Sequence, residues 1–153
     1  MSDFEVKGAD QFLRLSKALK QAGRTELRKE LTKGLRDGAR PLIPLARAAA
    51  RQQIPHRGGL ADLVAREPMR VQVRTGAKTA GVRIVVGNRR GAARATNAGL
   101  LRHPVFGTAV CVSQRVTESA GWFDETLTRN APIVRPELER ALQRVADRVV
   151  KGV

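Results

Sequence analysis

The apolar residues change their spacing twice along this chain, and that change limits the fold more than any other feature. Leu27, Leu31 and Leu35, and later Ile43, Ala46 and Ala50, recur within each group every three or four residues. That is the period of an amphipathic helix. At Met69, Val71 and Val73 the period drops to two, with Arg70, Gln72 and Arg74 in alternation. Val82, Ile84 and Val86 repeat the pattern beyond the turn sequence "GAKTAG". The pair predicts a half-buried hairpin over 69–87. Helical spacing returns at Leu138, Leu142, Val145 and Val149. Helices, then strands, then a helix describe an α+β fold, with N-terminal helices and a C-terminal helix packed on a small, mostly antiparallel β-sheet.

Local signals divide these segments further. Asp10, the apolar Phe12, Leu15 and Leu19, and Gly23 outline a first helix. Thr25 starts a second, which Pro41 and Pro44 should split into 25–39 and 42–52. "IPHRGGLADLV" reads as a loop punctuated by Pro55, Gly58 and Gly59. "NRRGAARATNAG" has no periodicity and reads as an exposed loop, and strand character resumes in "LLRH" and "AVCVSQRV". "GWFDETLTRN" opens a helical final third in which Pro132 and Pro136 mark a bend or a fresh start. A length of 153 residues suits one domain over 1–153, with 1–9 as a flexible arm and 87–98 as a mobile basic loop.

Five aromatic residues and no tyrosine mean that Leu, Val, Ile and Ala must supply most of the core. The acidic, polar start "MSDFEVKGAD" does not read as a signal or transit peptide. No apolar run approaches membrane-spanning length, and a soluble protein without a membrane partner is expected. Twenty-nine basic residues against fourteen acidic ones give a net charge of +15, and 22 of the basic residues are Arg. The surplus is local: residues 23–57 carry +6 and 58–115 carry +8, while 116–153 balance. Such a surplus suits nucleic acid, an acidic protein or an anionic surface, without choosing among them.

Catalytic chemistry finds little support. His103 and Cys111 lie eight apart, but a lone strand cysteine is usually a small buried hydrophobe. Two histidines without carboxylates at ligand spacing do not make a metal site. Asp124-Glu125 and the Glu137/Glu139 pair sit near predicted helix starts, where the macrodipole accounts for them. "GNRRG" matches neither the dinucleotide-binding nor the P-loop pattern. The chain is therefore read as a non-enzyme with no catalytic or metal residue, no cofactor and no small-molecule substrate. Arg89, Arg90 and Arg94 have two readings, a solvated turn or a basic finger against phosphate or an acidic neighbour. No aromatic residue interleaves with them, so any DNA contact would be to the backbone and non-specific.

The motifs "RGGLADLV", "LRHPVFG" and "GWF", in this order between a long N-terminal helix and a Leu/Val-striped C-terminal one, resemble the neck and tail-completion proteins of long, non-contractile-tailed phages, the gene-product-ten-like family. The resemblance covers most of the chain. It departs where Pro41 and Pro44 interrupt a helix expected to be more continuous, and where Ala109-Val110-Cys111 replaces the usual aromatic after the corner. It implies a virion subunit made in the bacterial cytoplasm and built into the head–tail junction or tail top. There it would form a homo-oligomeric ring around the DNA passage, touching neighbouring phage neck and tail proteins and, non-specifically, genomic DNA. Arg102, His103, Pro104, Phe106 and Gly107 would then form a structural corner, Pro104 ending the strand because it lacks an N–H. Trp122 and Phe123 would anchor the last helix onto the sheet. The alternative, resting on charge alone, is a small basic protein that binds nucleic acid non-specifically.

Overall fold

The computed structural model describes residues 4–5, 14, 17–18, 21, 25–74, 81–87, 91–104, 107 and 110–151, with residues 4–5, 57, 102–104 and 111 described as backbone only. The elements run β1 (Phe4–Glu5), α1 (Thr25–Ala39), α2 (Leu42–Gln53), a 3-10 turn (Arg57–Gly59) and α3 (Leu60–Arg66). They continue with β2 (Met69–Arg74), β3 (Gly81–Val86), α4 (Ala92–Asn97), β4 (Leu100–Pro104), β5 (Cys111–Arg115) and α5 (Trp122–Val150). This is an α+β fold, as the apolar spacing predicts. The helix expected over Asp10–Gly23 falls mainly outside the described residues; Arg14, Lys17, Ala18 and Gln21 are helical and exposed.

The contacts divide the chain into two compact units, neither continuous in sequence. One comprises 43–70 and 85–129; the other comprises the described residues of 4–42, 71–84 and 130–153. The single domain expected from length is thus built in two parts.

In the second unit, Leu27, Leu31, Leu35 and Ala39 form the buried stripe of α1. The stripe follows the i, i+4 row of a helix, so one side faces the core along its whole length. From the C-terminal half of α5, Val134, Leu138, Ala141 and Val145 are buried. The two helices run antiparallel: Glu30 meets Arg148, Gly34 lies against Ala141 and Gly38 against Leu138. A Cβ on Gly34 would stand 3.1 Å from that of Ala141, so the glycine permits this closeness. Strand β3 lies between β1 and β2. It pairs antiparallel with β1, Phe4 opposite Ile84 and Glu5 opposite Arg83, so the expected arm contributes a strand. Six residues join β2 to β3, too few for a parallel crossover, so this pair is a hairpin. Val82, Ile84 and Val86 are buried in strict alternation, while Val71 and Val73 are half-buried.

The break between α1 and α2 falls where the prolines put it. Pro41 occupies the turn, and Pro44 is the third residue of α2, where a missing N–H has no intrahelical partner to lose. At Pro132 and Pro136 the structure differs from expectation, because α5 continues through both without a fresh start. Each proline removes one internal hydrogen bond. Buried Val134 between them and Leu138 just beyond keep the chain helical there.

Two further corrections concern the first unit. "IPHRGGLADLV" is not an open loop: Gly58 and Gly59, both at φ 73°, reverse the chain into α3, whose Ala61, Val64 and Ala65 are buried. Residues 92–97, expected within a mobile basic loop, form helix α4, with Ala93, Thr96 and Asn97 buried. Strands β4 and β5 make a separate antiparallel pair, from Leu100 opposite Arg115 to Pro104 opposite Cys111. Among the described residues, the one sheet expected from the sequence is therefore two.

Candidate functional site

Trp122 and Phe123, singled out as a helix anchor, are fully buried and meet edge to face with ring centroids 5.5 Å apart. Their described hydrogen bonds to segments distant in sequence go to α4 rather than to a strand. Trp122 Nε1 donates to Thr96 Oγ1 at 3.1 Å, and the Phe123 amide donates to Asn97 Oδ1 at 2.8 Å. Asn97 Nδ2 donates to Asp124 Oδ2 at 2.8 Å, and the Asn97 carbonyl accepts from the Gly121 amide at 2.8 Å.

The reason lies at the start of α5. The residue before it, Gly121 (φ 78°), has no side chain with which to cap the first turn's amides. Asn97 supplies that acceptor from a distant part of the chain. Helix α4 repeats the device: its N-cap, Gly91, has no capping side chain, and Glu67 Oε1 accepts from the Ala93 amide at 3.0 Å. Asn97→Ala will strand the Phe123 amide in the interior and lower stability by about 1–3 kcal/mol. Urea denaturation followed by tryptophan fluorescence measures this, and Asn97→Asp should not recover the loss, because it keeps the acceptor for Phe123 but sets a second carboxylate oxygen against Asp124 Oδ2.

The other expected site residues scatter. Arg94 is exposed on α4, while Arg89 and Arg90 lie outside the described residues. Arg102, His103 and Pro104 lie on β4, with Pro104 its last residue, and the side chains of all three fall outside the description. Phe106 lies outside the described residues, and Gly107 is at φ 79°, the left-handed conformation a reversal needs. Val110 and Val112 are 60% and 43% exposed on and beside β5.

A cluster of positive charge lies on α1. A groove of about 520 Å³ is lined by Thr25, Arg28, Lys29, Thr32, Lys33 and Arg36, with Val73 of β2. These positions form two i, i+4 rows, Thr25–Lys29–Lys33 and Arg28–Thr32–Arg36, side by side along the helix. Leu27, Leu31 and Leu35 are buried, Arg28 and Thr32 beside them are half-buried, and Lys29, Lys33 and Arg36 are exposed. The signal is present in "TELRKELTKGLR", where a period of 3.6 gathers cations on one side as it gathers leucines on the other.

The acidic residues of this helix are engaged at its flanks. Glu30 pairs with Arg148, and Asp37 lies 3.9 Å from Arg40. Lys29 Nζ is 2.9 Å from Glu26 Oε1, with both side chains more than 70% exposed. An ion pair so exposed is worth about 0–1 kcal/mol and gives way readily to another anion. The arrangement can hold anionic groups along a line. Among the described residues, no group of three His, Cys, Asp or Glu is placed to hold a metal ion. No protein-family model, curated protein or solved structure matches this chain.

Proposed function

We propose that this chain is a structural subunit of a phage virion, at the head–tail junction or tail top, acting through ring-forming contacts around the DNA passage. The supporting observation is that the motifs behind the resemblance include packed structural elements. "GWF" is the buried, capped start of α5, the "LADLV" of "RGGLADLV" lies in α3, and "LRHP" falls in β4, paired with β5. In this reading the exposed Val110 and Val112 of the β4–β5 hairpin pack against the next copy of the chain. A two-stranded ribbon is marginal by itself in water, and a neighbour covering it adds the burial it lacks.

The test is the solution mass of protein washed in high salt and treated with nuclease. Light scattering should give a closed multimer of defined stoichiometry. Val110→Glu with Val112→Glu, both at exposed positions, should leave the circular dichroism unchanged and reduce the mass to that of one chain. A wild-type monomer at every concentration, binding DNA in a salt-dependent way, would transfer the assignment to a second reading. That reading is a small basic protein that binds nucleic acid alone, and the net charge of +15 and the α1 groove favour it.

A further inference from the structure

We infer that the cationic groove on α1 is a binding site for the phosphodiester backbone of duplex DNA, held without regard to base sequence. The inference rests on the groove alone and stands whether or not the chain forms a ring.

The lining residues match the way proteins grip a nucleic-acid backbone. Most protein–DNA hydrogen bonds go to phosphate and sugar, and Arg, Lys, Ser and Thr side chains supply many of them. Here four cations, Arg28, Lys29, Lys33 and Arg36, alternate with two hydroxyls, Thr25 and Thr32. The Thr32 hydroxyl already donates to the Arg28 carbonyl at 2.9 Å, so the cations are the principal donors to a ligand. No Asn, Gln or aromatic side chain lines the groove, so it lacks an adenine-reading amide and a stacking platform.

The dimensions agree. The first and last residues of each row are separated by a rise of about 12 Å at 1.5 Å per residue. One strand of duplex DNA rises about 3.4 Å along the axis per phosphate, so a row laid parallel to that axis covers the rise of roughly three or four of them. Over that distance the groove has three exposed cations, Lys29, Lys33 and Arg36. Burial of Leu27, Leu31 and Leu35 holds these charges on one face before any ligand arrives, which limits the ordering cost of binding.

An acidic protein segment fits less well. Protein interfaces concentrate their energy in desolvated aromatic and apolar anchors and are depleted in lysine. The groove offers one half-buried apolar side chain, Val73, and two lysines. Its composition is that of an electrostatic track.

The experiment is fluorescence anisotropy of a short labelled duplex of arbitrary sequence, titrated with the full chain over a series of salt concentrations. Lys33→Glu with Arg36→Glu should weaken binding at least about tenfold and reduce the salt slope by roughly 1.8, the value for two lost phosphate contacts. Lys33→Gln with Arg36→Gln should give the same slope change with a smaller loss of affinity, and serves if the reversal disturbs folding. The control is Arg66→Glu with Arg129→Glu, which changes the net charge equally at two exposed positions outside the groove. It should bind the duplex within about twofold of wild type, because screening confines exposed charges to local effects. Equal losses in the groove and control variants would overturn the inference in favour of bulk charge. Unchanged DNA binding in the groove variants, with loss of binding to polyglutamate, would overturn it in favour of an acidic protein partner.

Discussion

Trp122→Ala will destabilise the protein by about 3–5 kcal/mol, the range for deleting a fully buried aromatic side chain. The indole is 0% exposed, and its loss does three things at once. It removes the largest buried side chain of the first unit, breaks the edge-to-face pair with Phe123, and takes the Nε1 donor from Thr96. The Thr96 hydroxyl is not stranded, because it still donates to the carbonyls of Ala92 and Ala93 at 2.9 and 3.0 Å. The cost should therefore come mainly from the cavity rather than from the broken hydrogen bond. Trp122→Phe separates the two terms: it keeps most of the apolar volume, lacks the donor, and should cost clearly less than alanine. Chemical denaturation monitored by circular dichroism measures both variants. Equal midpoints for Trp122→Ala and wild type would contradict a buried anchor at the start of α5.

Leu31→Ala should cost about 2–5 kcal/mol. Leu31 is the middle residue of the α1 stripe, 1% exposed, with Leu27 and Leu35 one helical turn to either side. Alanine has the higher helix propensity, so α1 gains slightly as an isolated helix while the protein loses. That opposition makes the result diagnostic, because a net destabilisation measures packing and not propensity. Leu63→Ala is the matching control. Leu63 is 57% exposed on α3, and its truncation should change stability by no more than about 0.5 kcal/mol. The Leu31 variant should also perturb the groove, since the same stripe orients the cationic rows. Its duplex affinity should fall while its salt slope, set by the number of cations, stays near wild type.

How far a signal reaches along the chain decides whether the sequence alone displays it. The α1–α2 break, the alternation of β3 and the stripes of α1 and α5 were readable because each depends on residues within one or two turns of each other. The cationic rows of α1 were equally local, set by the same 3.6-residue period as its leucines. Helix α4 was not readable. Its six residues carry no apolar period, its N-cap is a glycine, and its stability comes from Glu67, Thr96 and Asn97 bonding to partners more than twenty residues away. The single sheet was inferred from element count, which does not record which strand pairs with which.

The sequence by itself determined the α+β class, the proline-set division of the N-terminal helices, the faces of α1 and the basic character of the chain. Side-chain periodicity, proline geometry and formal charge are properties of neighbouring residues, and they act wherever the chain goes. Only the tertiary structure decided that the basic stretch before Leu100 folds into a helix, that α5 passes through two prolines, and that Asn97 caps a helix 25 residues further on. In each case the local preference is weak or opposed. Burial and hydrogen bonds between segments far apart in sequence outweigh it, and those energies exist only once the segments have met.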